Sequence, residues 1–94
     1  MKRILVIIPA YNEQESILKT VRTLQSCQFS PGYTVDYIVV NDGSRDNTLS
    51  VLRENGLRHL KLPMNLGIGG AMQTGYMFAA ENGYDYAVQL DGDG

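Results

Sequence analysis

Four short apolar runs, each separated from the next by enough residues for a helix, constrain this chain more than any other feature of its sequence. The runs are Ile4–Ile8, Val35–Val40, Leu57–Leu62 and Tyr84–Leu90. The first is unbroken and β-branched, which is typical of a strand that is covered on both faces. Helix-length crossovers between consecutive strands indicate right-handed βαβ units. The sequence therefore predicts an α/β fold with a parallel sheet of about four strands and flanking helices.

The segments between the runs carry helix-boundary signals. Asn12 is a candidate N-cap, and it would place Glu13 and Glu15 in the first helical turn, where the helix dipole favours acidic side chains. The other two helices are predicted to begin near Leu49 and to span Gly69–Asn82, with Gly56 and Gly83 as the residues that follow them.

Composition narrows the class of protein. A chain of 94 residues with 44% apolar and 19% charged residues is typical of one globular domain. Its net charge of −2 argues against nucleic-acid binding through bulk charge. No apolar run approaches the roughly 18 residues of a membrane span, and the run at 4–8 is too short for a signal peptide, so we expect a cytoplasmic domain. The fourth strand is expected to be an exposed edge through which copies of the chain self-associate.

Polar clusters follow three of the four predicted strands, at the edge where parallel α/β sheets bind ligands. Asp91 and Asp93 follow the fourth strand, and two carboxylates at positions i and i+2 of an extended chain point to the same side. A hard divalent cation, Mg²⁺ or Mn²⁺, relieves their repulsion, with phosphate oxygens as further ligands. The alternative is a solvated Asp-Gly turn.

Asp42 follows the second strand within the polar segment 41–48. It could be a turn residue or an acid that binds a ribose, as in dinucleotide-binding folds. A calcium loop is excluded, because Asn47 and Arg53 stand where such a loop needs Gly and Glu.

The first βα turn contains Pro9, Tyr11 and Glu13 and lacks both the glycine fingerprint of dinucleotide-binding enzymes and the P-loop pattern. Tyr11 could stack on a base and Glu13 could accept hydrogen bonds from ribose hydroxyls. The alternative makes Tyr11 a rim residue and Glu13 a partner of the helix dipole. The glycine-rich segment 65–71 follows the third strand rather than the first, and we interpret it as a close-packed floor for a ligand.

In this order, these segments resemble the N-terminal half of a family 2 glycosyltransferase. The combination comprises Pro-Ala-Tyr-Asn-Glu, Val-Asn-Asp-Gly-Ser-x-Asp-x-Thr, Asn-x-Gly-x-Gly-Gly-Ala and Asp-Gly-Asp after an apolar strand. The resemblance covers all 94 residues and is nearest to the polyprenyl-phosphate sugar synthases, such as dolichyl-phosphate mannose synthase. It implies a Rossmann-like GT-A fold, truncated here to the nucleotide-sugar-binding half, residues 1–94, without the acceptor-binding half.

The resemblance also implies roles for individual residues. The residues implied to bind the nucleotide sugar are Pro9, Tyr11, Glu13, Val40, Asp42, Asp91 and Asp93. Among them, Val40 would form the pocket wall, Asp42 would accept hydrogen bonds from the base, and Asp91 and Asp93 would bind the metal. The chain departs from the family at Met64, where many members have a basic residue, which implies one contact fewer to the nucleotide.

The implied reaction is transfer of a sugar from a UDP- or GDP-sugar to a polyprenyl phosphate or glycan acceptor. It would proceed with inversion and with help from Mg²⁺ or Mn²⁺, and the catalytic base is expected beyond Gly94. The resemblance places such an enzyme in the cytoplasm or at the cytoplasmic face of a membrane. The alternatives are a nucleotide-binding module without transfer activity and a nucleotidyltransferase or NAD-linked enzyme.

Overall fold

The structure, a computed structural model, describes residues 1–92, and Asp93 and Gly94 lie outside this range. The elements in chain order are β1 (Lys2–Ala10), α1 (Ile17–Ser26), β2 (Tyr33–Asn41), α2 (Thr48–Glu54), β3 (His59–Lys61), α3 (Gly67–Glu81) and β4 (Tyr86–Gln89). The strands form one sheet in the order β3-β2-β1-β4, and every neighbouring pair is parallel. The predicted four-stranded parallel α/β sheet is confirmed.

The strand β1 lies inside the sheet and is buried on both faces. Val6 and Ile8 pack in the core beneath α1 and α2, whereas Leu5 and Ile7 pack in the core beneath α3. All four are at most 6% exposed. Because both faces of β1 are covered, its sequence is a continuous apolar run rather than an alternating one.

The expected N-cap at Asn12 is wrong, since α1 begins at Ile17 with Ser16 as its N-cap. Asn12 has a φ of 54°, in the left-handed region that Asn tolerates better than most residues. Its side-chain Oδ1 accepts the N–H of Arg45, 2.8 Å away in the β2–α2 loop. The side chain that was expected to cap the helix therefore binds a neighbouring loop, and Glu13 precedes the helix instead of lying in its first turn.

The strand β3 is shorter than the predicted range 57–62, because Leu57, the first residue of that range, takes part in the end of α2. Leu57 donates its N–H to the carbonyl of Leu52 at 2.9 Å, and Gly56, with a φ of 63°, donates to Arg53 at 3.3 Å. These two bonds form a Schellman motif, which confirms Gly56 as the residue that follows α2.

The same motif shortens β4 at its start. Tyr84 donates its N–H to the carbonyl of Ala79 at 3.0 Å, and Gly83 has a φ of 73°. The strand therefore begins at Tyr86 rather than Tyr84, while α3 begins two residues earlier than expected, at Gly67. Within residues 1–92, β4 pairs only with β1, so the expected exposed edge is confirmed.

The parallel sheet brings the loops that follow β1, β2 and β3 to one edge, together with the residues that follow β4. This arrangement places Asp42 and Asp91 on the same side of the molecule, as predicted. Within the described part of the chain, no helix is both long and apolar enough to cross a bilayer.

Candidate functional site

A cleft of about 320 Å³ opens at the carboxyl edge of the sheet. Its walls come from the loops after β1, β2 and β3 and from the segment after β4. The lining residues are Pro9, Ala10, Tyr11, Glu13, Asp42, Asn65, Gly67, Ile68, Asp91 and Gly92. The structure thus brings together five of the seven residues that the sequence singled out.

The other two behave differently. Val40 is fully buried in the core beneath α3 and is absent from the cleft lining among residues 1–92, so the expectation that it forms the pocket wall is wrong. Val40 shares a face of β2 with Ile38, and on this face both side chains pack in the cluster that contains Ala71 and Met72 of α3. Asp93 lies outside the described residues, so its expected metal-binding role stays a prediction.

Asp42 joins three segments at the base of the cleft. It is 3% exposed, and its backbone N–H donates to the carbonyl of Ala10 at 2.8 Å. Its carboxylate accepts the N–H of Leu66 at 2.7 Å on one oxygen and the side-chain amide of Asn65 at 3.0 Å on the other. A carboxylate offers about four acceptor positions. Two therefore remain for a ligand that donates hydrogen bonds.

The position of Asp42 also suits its charge. Leu66 is the N-cap residue of α3, a helix of 15 residues, and the positive end of the helix dipole favours a carboxylate there. Gly43, with a φ of 66°, lets the loops approach closely, because a Cβ at this position would overlap the backbone of Met64 and Asn65. Asp42 and Gly43 thus fix the β3–α3 loop against the end of β2.

The first two loops are interlocked by side-chain hydrogen bonds. Thr48 Oγ1 accepts the N–H of Glu13 at 2.9 Å, and Gln14 Oε1 accepts the N–H of Asn47 at 2.8 Å. The carboxylate of Asp46 accepts the N–H of Gln14 at 3.3 Å and that of Thr48 at 2.9 Å. These bonds hold the wall that carries Tyr11 and Glu13 in place.

The Asp46 carboxylate has a perturbed pKa. Burial alone would raise this pKa, but the hydrogen bonds from the hydroxyl and N–H of Thr48, and from Gln14, outweigh burial and lower it. Asp46 is therefore a structural carboxylate that joins two loops.

Tyr11 and Glu13 are accessible from the cleft. Tyr11 is 41% exposed and lines the cleft, so part of its ring is accessible to a ligand. Glu13 Oε2 accepts the hydroxyl of Ser16 at 2.9 Å, and the second carboxylate oxygen gives it further acceptor capacity.

Asp91, which follows β4 beside β1, lines the same cleft and is exposed, with its Oδ1 accepting the side-chain amide of Gln89 at 3.1 Å. Among residues 1–92, no group of three or more His, Cys, Asp or Glu side chains is placed to hold a metal. The exposed Asp91 supplies a carboxylate of the kind that Mg²⁺ or Mn²⁺ binds together with the phosphates of a nucleotide.

The segment 65–71, which the sequence predicts as a floor for a ligand, contributes Asn65, Gly67 and Ile68 to the cleft, but sequence reasoning did not single out Asn65 or Gly92 as site residues. Asn65 binds the backbone and side chain of Asp42, and the Asn-x-Gly pattern after the third strand was its only signal. Met64, by contrast, is 63% exposed and does not contribute to the lining formed by the described residues.

Known proteins match almost the whole chain. The profile of the family described as Glycosyl transferase family 2 matches residues 5–94. The chain is 36% identical to UDP-N-acetylglucosamine--dolichyl-phosphate N-acetylglucosaminyltransferase of Methanococcus voltae, an alignment that covers 99% of this chain and 42% of the relative. It is 34% identical to undecaprenyl-phosphate mannosyltransferase of Micrococcus luteus, with 98% and 38% covered. The chain thus spans about two fifths of the length of these relatives.

The fold matches as well. The mannosyltransferase PcManGT from Pyrobaculum calidifontis, solved in complex with GDP-Man and Mn²⁺, superposes with a TM-score of 0.82. The superposition covers 96% of this chain and 27% of that enzyme at 23% identity, so it is a likeness of fold.

Proposed function

Because the chain belongs to glycosyl transferase family 2 and has the GT-A fold, we propose that residues 1–94 form the nucleotide-sugar-binding half of a glycosyltransferase domain. The observation that carries the proposal is the cleft at the carboxyl edge, where an aromatic ring and three carboxylates from separate loops converge. The chain spans about two fifths of the relatives' length, and we assign it the donor side of the reaction only.

The donor is a UDP- or GDP-sugar. Uracil presents one ring N–H and guanine a ring N–H beside an amine, and the free acceptor positions of Asp42 suit either base. Adenine has no ring N–H on that edge. Tyr11 stacks on the base, Pro9 lines the nucleoside, and Glu13 accepts the ribose hydroxyls. The relatives' names include a UDP-sugar, and the solved mannosyltransferase holds GDP-Man.

A divalent metal completes the donor site. Asp91 and Asp93 would hold Mg²⁺ or Mn²⁺, which supplies Lewis-acid neutralisation of the departing diphosphate. The mannosyltransferase of similar fold holds Mn²⁺. In this chain, Asp91 is exposed and lines the cleft, so its carboxylate is accessible to a metal there.

The reaction transfers the sugar with inversion to a polyprenyl phosphate or a glycan. A polyprenyl phosphate is favoured, because both relatives carry a polyprenyl-phosphate acceptor in their names. A phosphate acceptor is already anionic at neutral pH and needs little help from a base. Such an acceptor is a membrane lipid, and we place the reaction at the cytoplasmic face of the membrane.

We further propose that copies of residues 1–94 self-associate through β4. Tyr86 is 54% exposed and Val88 is 47% exposed, beside an edge whose backbone groups are unpaired within residues 1–92. Val88→Lys should shift the chain toward monomer in analytical ultracentrifugation. An unchanged distribution would remove β4 as the interface.

Donor binding and transfer test the main proposal. Calorimetry should show that UDP or GDP binds more tightly with Mn²⁺ than with EDTA, and that ADP and NAD bind more weakly than either. Tighter binding of NAD would favour an NAD-linked enzyme. Transfer of labelled sugar to a polyprenyl phosphate by the protein extended to the relatives' length would distinguish a transferase from a binding module.

A further inference from the structure

The carbonyl of Gly92 is bound by two hydroxyl groups of α1 and its N-cap. Ser16 Oγ lies 3.0 Å from this oxygen and Thr20 Oγ1 lies 3.2 Å from it. The two residues are four positions apart, so they lie on the same face of the helix. Gly92 is the residue between Asp91 and Asp93, so these bonds reach the backbone that links the two carboxylates of the donor site.

Packing restrains the same residue from the other side. Gly92 is buried, and a Cβ built on it would lie 2.9 Å from the carbonyl oxygen of Pro9 and 3.5 Å from Ile17. Two residues earlier, Leu90 donates its N–H to the carbonyl of Ile7 at 2.9 Å and extends the pairing with β1. The chain after β4 is therefore held by β1 on one side and by α1 on the other.

The two hydroxyls supply fewer hydrogens than there are acceptors around them. Ser16 has one hydroxyl hydrogen for Gly92 and for Glu13 Oε2 at 2.9 Å. Thr20 has one for Gly92 and for the Ser16 carbonyl at 3.1 Å. Either hydroxyl can satisfy the Gly92 carbonyl while the other serves its alternative acceptor. Removal of one should therefore be partly compensated, whereas removal of both leaves a buried carbonyl without its partners.

We propose that Ser16 and Thr20 are positioning residues that, through the Gly92 carbonyl, hold the backbone next to Asp91 for binding of metal and diphosphate. This proposal rests on the proposed function, because the metal and the nucleotide diphosphate are the ligands that the proposed function assigns to the cleft. A segment that is already ordered in the free protein binds more tightly than one that must be ordered on binding. The two hydroxyls together should therefore strengthen metal-dependent binding more than metal-independent binding of the nucleoside.

The test compares Ser16→Ala, Thr20→Val and the double variant with wild type by calorimetry with UDP and GDP, in Mn²⁺ and in EDTA. The double variant should lose about three- to tenfold of the affinity in Mn²⁺, more than the product of the two single losses. The loss in EDTA should be smaller and should equal that of Ser16→Ala alone, because only Ser16 also bonds Glu13. Thr74→Val is the matched control, because Thr74 Oγ1 bonds a carbonyl four residues back within α3. Ser16→Ala combined with Thr20→Ser should regain part of the loss.

Hydrogen exchange of the backbone amides at positions 90–94 provides a readout that needs no ligand. The double variant should exchange faster there than wild type, and Thr74→Val should not. Equal Mn²⁺-dependent affinity in the double variant, or equal exchange at these amides, would overturn the positioning role. If wild type binds neither nucleotide, the proposed function fails, and the exchange comparison still decides whether the hydroxyls order this segment.

Discussion

Replacement of Asp42 by alanine should weaken both the fold and nucleotide binding, and the two effects can be measured separately. The substitution removes two hydrogen bonds, from the N–H of Leu66 at 2.7 Å and from the amide of Asn65 at 3.0 Å. Hydrogen bonds to a charged group are each worth about 1.5–3 kcal/mol. The exposed Asn65 can turn its amide to water, so we expect the free energy of unfolding to fall by about 2–4 kcal/mol.

The binding effect comes from the two acceptor positions that the protein leaves free. Loss of one hydrogen bond from the base to the carboxylate should cost about 1.5–3 kcal/mol, or roughly 10- to 150-fold in the Kd for UDP or GDP. Urea denaturation gives the stability change. Calorimetry gives the binding change, at a temperature where the variant is fully folded.

Asp46→Ala is the matched control for Asp42→Ala. Asp46 also accepts a backbone N–H at the start of a helix, from Thr48 at 2.9 Å, but it does not line the cleft formed by the described residues. Asp46→Ala should lower stability and raise the Kd for UDP or GDP clearly less than Asp42→Ala does, because Asp46 supports the wall of the cleft but offers no acceptor to the base. If Asp42→Ala and Asp46→Ala change the Kd equally, Asp42 serves only to fasten the β3–α3 loop.

The other predictions concern pH, backbone geometry and turnover. The pKa of Asp46 is lower in the folded protein than in the unfolded chain. The ionised carboxylate therefore contributes fully to the free energy of unfolding above its unfolded-state pKa, and this contribution is lost as the pH falls through its folded-state pKa. Urea denaturation at pH 5 and pH 2.5 should therefore show a smaller loss of stability for Asp46→Asn than for wild type. Gly43→Ala should lower the free energy of unfolding by more than about 1 kcal/mol in addition to the loss that Gly32→Ala causes. Both glycines have positive φ, but only a Cβ at 43 overlaps a neighbouring backbone; equal costs would refute this. Residues 1–94 alone should bind nucleotide but transfer no sugar, because donor-side residues alone cannot orient an acceptor for attack. Sugar transfer by residues 1–94 that is abolished by Asp93→Ala would contradict this prediction.

The sheet and the site edge could be predicted from sequence because they depend on local patterns. The unbroken run of β1 is a direct consequence of burial on both faces, and the helix-length connections are those that parallel strands need. Once the strands are parallel, Asp42 and Asp91 must lie at the same edge. The location of Tyr11 and Glu13 could be predicted in the same way, since the loop that contains them leaves β1 at that edge.

The errors have two causes, which are a partner distant in sequence and a helix end that extends into an apolar run. Asn12 has the composition of an N-cap, but its side chain binds Arg45 in another loop. Leu57 and Tyr84 belong to apolar runs, yet their backbone closes the preceding helix. The contact of Ser16 with Gly92 joins residues 76 positions apart, and hydroxyls in a helix give no sequence signal for such a contact.

The central claim is that the nucleotide diphosphate binds at the carboxyl edge of the sheet. A second cleft, of about 380 Å³, lies around the start of β2 and includes Phe29, Tyr37 and Arg58. The measurement must therefore distinguish nucleotide binding at the carboxyl edge from binding in this second cleft. Two-dimensional NMR of ¹⁵N-labelled protein, titrated with UDP and then GDP in Mg²⁺, answers it directly. The account predicts the largest amide shifts at Tyr11, Asp42 and the 90–92 segment. Shifts confined to the second cleft would contradict it.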